Sequence, residues 1–67
     1  MKGVDKYARE VAMMGNRVNA MIRECQTDED VSPMERQDLA WELVRIRETL
    51  AQSTASLVSL AIKETEP

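Results

Sequence analysis

Apolar side chains recur along the first third of the chain at alternating spacings of three and four: Val4, Tyr7, Val11, Met14, Val18, Met21 and Cys25. This is the a and d pattern of a heptad repeat, and it predicts an amphipathic helix over about residues 4–26 whose seam faces another helix. The e positions beside the seam are Ala8, Gly15 and Ile22, which widen the stripe while keeping it thin in the middle. Glycine costs about 1 kcal/mol relative to alanine inside a helix. Gly15 therefore reads either as a close backbone approach by another helix, opposite a bulky group such as Trp41, or as a tolerated glycine.

Gln26-Thr27-Asp28-Glu29-Asp30 contains no apolar residue, and its acidic side chains oppose the dipole at a helix C-terminus, so the first helix ends there. Val31-Ser32-Pro33-Met34-Glu35 then carries a helix-start signature: Ser32 as N-cap, Pro33 in the first helical position and Glu35 reaching back to the cap. A second helix is expected over about 33–63, after an acidic turn over 27–32. A connection this short makes the two helices antiparallel neighbours.

The second helix is apolar on two faces. Leu39, Leu43, Ile46, Leu50, Leu57 and Leu60 form one, with Ser53 filling its gap; Trp41, Val44, Ala51, Ala55, Val58 and Ile62 form the other. One stripe covers one neighbour, so two stripes call for two. Charges also stop at Glu48 and resume at Lys63, leaving an uncharged run of fourteen residues. Within it, Gln52-Ser53-Thr54-Ala55-Ser56 is the expected weak point of the helix, because hydroxyls compete for backbone hydrogen bonds. At ~1.5 Å per residue the helices would run about 35 and 46 Å. Folding about Asp30 brings Leu50 near residue 10 and leaves Leu57, Val58, Leu60 and Ile62 as an apolar end at or beyond the N-terminus. Such an end marks an interface. The protein-contact residues expected are thus Trp41, Val44, Ala51, Ala55, Leu57, Val58, Leu60 and Ile62.

Sixty-seven residues make one small helical domain, 1–67. A core of this size yields roughly 3–5 kcal/mol without a staple. A single cysteine and the absence of histidine remove an internal disulfide and the common zinc sites, which leaves self-association or a protein partner. The start, MKGVDKYARE, is charged and lacks the apolar segment of a signal peptide, and the fourteen-residue run is too short and polar to span a bilayer. A cytoplasmic protein with no membrane association is expected.

The net charge of −3 is divided unevenly: residues 1–27 hold five basic and three acidic groups, residues 28–67 four basic and nine acidic. The outer face of the first helix collects Lys2, Lys6, Arg9, Asn16, Arg17 and Arg23, a modest basic strip suited to phosphates if a dimer presents it twice. It has no exposed aromatic to stack on bases. Asp28, Glu29 and Asp30 lack the pattern of a calcium loop. Cys25, at an a position without a neighbouring His or Lys, reads as an inert buried thiol. No acid–base pair falls in a predicted pocket, so no enzyme activity, metal or cofactor is expected. Met13, Met14, Met21 and Met34, with one tryptophan and one tyrosine, describe a soft and adaptable core.

The expected fold is all-α: an antiparallel two-helix hairpin, two copies of which form a four-helix bundle. Such an architecture is similar in shape to small plasmid-encoded RNA-binding hairpin dimers and to small helical co-chaperones of secretion systems, with no residue motif in common. The expected function is that of a non-enzymatic interaction protein: a small adaptor, co-chaperone or inhibitor that pairs with itself and presents helix faces to a protein. The alternative is a regulatory nucleic-acid-binding dimer using the basic face of the first helix.

Overall fold

Two α-helices account for most of residues 3–65, the part of the chain that the computed structural model describes: α1, Gly3–Cys25, and α2, Pro33–Thr65. They pack against each other as an antiparallel hairpin, and every described element is helical or turn. The Cα atoms span 54 × 14 × 10 Å, so the molecule is one layer of two helices with no interior beyond the contact between them.

The start of α2 is built by short-range hydrogen bonds. The Glu35 amide donates to Ser32 Oγ at 3.2 Å, the Ser32 amide donates to Glu35 Oε1 at 3.3 Å, and the Arg36 amide donates to the Ser32 carbonyl at 2.8 Å. This reciprocal box satisfies donors that the first turn of a helix leaves free. The Ser32 hydroxyl, and secondly its amide, hold the Glu35 carboxyl below its ordinary pKa. Within the turn, the Asp30 amide donates to Asp28 Oδ1 at 2.9 Å, and Arg36 Nε donates to the carbonyls of both Asp28 and Val31 at 2.9 Å. One arginine thus ties the loop down onto the first turn of α2.

α2 continues without a break through Gln52–Ser56. Thr54 Oγ1 donates to the Leu50 carbonyl at 2.7 Å, so the hydroxyl shares the acceptor one turn back without opening the helix.

The seam lies one column round from the heptad reading. The least exposed residues of α1 are Val4, Ala8, Val11, Gly15, Val18, Ile22 and Cys25, whereas Tyr7, Met14 and Met21 are exposed. α2 shows the same displacement. Ala40, Leu43, Leu50, Thr54, Leu57 and Ala61 turn inward, and Leu39, Ile46 and Leu60 turn out. Small side chains favour the choice, since Ala8, Ala40 and Ala61 put little between the two helices. The buried core is correspondingly thin: Ala8, Val18, Cys25 and Leu43, with Ile22, Ala40 and Leu50 packed against the last three. Cys25 donates its thiol proton to the Ile22 carbonyl at 3.3 Å.

The register also differs from a fold about Asp30. Arg47 Nη1 donates to Asn19 Oδ1 across the helices at 3.1 Å, and Gly15 and Asn16 share a hollow with Leu50 and Ala51. Leu50 therefore stands beside Gly15, not residue 10. The same pairing carries Leu57 to the level of Ala8, where it is half-buried in the hairpin. The expected overhang is absent because the extra length of α2 is used at the turn end, where its first turns run past Cys25 under the loop held by Arg36.

Neither Trp41 nor any other group crowds Gly15: a Cβ built there would meet no neighbouring atom within 4 Å. The glycine is a tolerated one. Gly15→Ala is expected to stabilise the hairpin by about 0.4–1 kcal/mol through helix propensity and reduced unfolded-state entropy. Thermal denaturation followed by circular dichroism tests this, and a lower melting temperature would place a second backbone against residue 15.

Candidate functional site

The two broad sides of the hairpin differ in kind. On one, α2 contributes Gln37, Trp41, Val44, Glu48 and Ala51, while α1 contributes Ala12, Asn16, Asn19, Ile22 and Gln26; these residues line two shallow hollows between the helices. The hollow nearer the turn, about 450 Å³, has Ile22, Pro33, Ala40, Trp41 and Val44 as apolar wall and Gln26, Arg36 and Gln37 as polar rim. Trp41 is 63% exposed, so most of its ring is open to solvent. Further along the same side of α2, at about 100° per residue, come Ala55, Val58 and Ile62, all exposed. The apolar groups of this side come mainly from α2, because small and amide side chains occupy the facing edge of α1.

The opposite side is apolar on both helices. Tyr7, Met14 and Met21 follow one another at heptad spacing on α1, and Leu39, Ile46 and Leu60 do so on α2 with Ser53 between the last two. Tyr7 is 57%, Met14 54% and Ile46 48% exposed, and the other three large side chains are also open. The heptad reading assigns these positions to the hairpin seam, and of the six only Leu60 is also among the expected contact residues.

The structure thus divides the protein-contact residues expected from the sequence. Trp41, Val44, Ala51, Ala55, Val58 and Ile62 share the hollow-bearing side, with Val44 partly covered; Leu60 lies on the opposite side. Leu57 is a correction: it turns into the hairpin and is half-buried.

The basic strip lies along the back of α1. Lys6, Arg9, Arg17 and Arg23 are exposed there, Asn16 is exposed at the edge of the strip where it also lines the hollow, and Lys2 lies outside the described residues. Carboxylates are threaded through it. Arg9 Nη2 sits 2.9 Å from Asp5 Oδ2, and Arg17 Nη1 sits 3.8 Å from Glu24 Oε1. Lys6 Nζ lies 5.7 Å from the centre of the Tyr7 ring. Exposed pairs of this type are worth ~0–1 kcal/mol and yield easily to a stronger ligand, but they cancel much of the field a phosphate would meet.

Among the described residues, no three His, Cys, Asp or Glu side chains converge as a metal site would require, and no helix is long and apolar enough to cross a membrane. No protein-family model matches the chain, no curated protein is significantly similar to it, and no solved structure matches its fold.

Proposed function

We propose that the chain is a non-enzymatic protein-interaction module, acting as a small adaptor, co-chaperone or inhibitor, which associates with itself into a four-helix bundle and presents a helix face to a protein partner. One observation carries this reading: large apolar side chains are exposed on both broad sides of a hairpin whose own core is four small or medium residues. Such a core supplies too little burial for a stable isolated domain, and the unspent apolar surface lies where further helices would cover it. The unpaired thiol of Cys25 suits a reducing compartment, and we place the protein in the cytoplasm.

Sedimentation equilibrium tests the self-association. The expected result is twice the chain mass of 7.6 kDa, with a melting temperature that rises with protein concentration. A chain mass that holds at all concentrations, with a cooperative and concentration-independent melt, would overturn the proposal.

A further inference from the structure

We infer that the self-association face is the side carrying Tyr7, Met14, Met21, Leu39, Ile46 and Leu60, and that a second copy of the chain docks on it with its turn at the opposite end. This arrangement presupposes the self-association proposed above and fixes its geometry.

The choice of side follows from composition. Among the described residues, this side has three exposed large apolar groups on each helix, so here two hairpins would bring four stripes together around one axis. On the other side α1 offers one large apolar residue, the partly buried Ile22, among Ala12, Asn16, Asn19 and Gln26, which fits a partner that contacts mainly α2.

A second copy is indicated because the patch is complementary to itself. Met14 is the midpoint of the α1 stripe. The midpoint of the α2 stripe falls between Ile46 and Ser53, next to Leu50, and Leu50 stands beside Gly15 in the observed register. The two stripes are therefore centred within one helical turn of each other. A two-fold axis lying in the interface and crossing the helices at that level returns the patch to itself, which is what an isologous contact requires. It sets Met14 against Met14, Tyr7 against Met21 and Leu39 against Leu60. The one polar position, Ser53, falls opposite Ile46.

The flanking charges choose between the two ways of stacking the hairpins. Glu10, Arg17 and Glu24 border the α1 stripe, and Glu42, Thr49 and Ser56 border the α2 stripe. With the turns at opposite ends, α1 lies antiparallel on α1 of the second copy, and Glu10 comes over Arg17 at two symmetric places. Thr49 then faces Thr49, and Glu42 faces Ser56. With the turns at the same end, α1 lies on α2, and Glu24 comes over Glu42. Charged pairs bordering a helical seam set orientation in this manner. Arg17 is free to turn, since its contact with Glu24 within one copy is long and both side chains are about two-thirds exposed.

Cross-linking reads the geometry. Met14→Cys in a Cys25→Ser background is expected to form a reducible disulfide dimer, because residue 14 lies on the axis. If Met14→Cys does not link to itself but links to an added Ser53→Cys chain, the turns lie at the same end; the arrangement falls while self-association stands. A dimer by sedimentation with neither link would place the contact on another side and overturn the inference alone. A monomer would overturn it together with the reading it rests on. A charge exchange needs no cysteine: Glu10→Lys and Arg17→Glu should each weaken the dimer on the order of tenfold, and their combination should restore it. Two weak single variants without restoration would deny the Glu10–Arg17 pairing.

Discussion

Leu43→Ala is expected to leave the chain without a cooperative melt at concentrations where the parent melts sharply. Leu43 is 5% exposed, the only α2 residue of the buried core, and it meets Val18 and Cys25 at the level where the two helices are best covered. Removing a buried leucine side chain costs about 2–5 kcal/mol, which equals or exceeds the stability such a small core supplies. Leu50 packs on the same cluster but is only partly buried, so Leu50→Ala should sit at the low end of that range and retain a shifted transition. Urea titrations of both variants by circular dichroism, at one protein concentration, measure the difference. Equal melting of Leu43→Ala and the parent would mean that the helices do not pack along the Val18–Leu43–Cys25 line.

The parts of this fold that the sequence made legible are those fixed by neighbours in sequence. Ser32 and Glu35 form their box within one turn of chain, so residue type and spacing sufficed. The helices themselves announce their periods, and a short polar turn between them leaves little choice but a hairpin. Two features were not legible, and both depend on what lies across from a residue. Tyr7, Met14 and Met21 belong to the same apolar band as Ala8, Gly15 and Ile22, and period alone does not say which column meets the partner helix. The structure puts the Ala8, Gly15 and Ile22 column inward and leaves the Tyr7, Met14 and Met21 column open. Similarly, the level of Leu57 depends on how far α2 runs past Cys25. That depends on the shape of the loop, in which Arg36 donates to the carbonyls of Asp28 and Val31, an arrangement without a sequence period. The apolar end Leu57–Ile62 therefore dissolved into an inward Leu57 and outward Val58, Leu60 and Ile62. Trp41 was legible as lying off the seam, and its exposure agrees with that.

Ile46→Asp should abolish the dimer while sparing the hairpin. Ile46 is about half-exposed and outside the core cluster, so in a free hairpin the exchange is a surface substitution worth roughly ±0.5 kcal/mol. In the bundle inferred above it sits inside the contact twice. Each copy would lose the burial of its isoleucine, ~1.5–3 kcal/mol for a whole side chain and about half that for the area left open here. Each would also press an unpaired carboxylate against apolar groups of the other copy, which is costlier still. Together these predict a dimer weakened at least on the order of a hundredfold. Val58→Asp makes the same chemical change on the other side of α2, where no second copy is placed, and should leave the sedimenting mass unaltered. The comparison has force because the single hairpin exposes the two residues almost equally. Only the placement of a neighbour distinguishes them, so a dimer that survives Ile46→Asp and falls apart with Val58→Asp would transfer self-association to the Trp41 side and leave the Met14 side for the other protein.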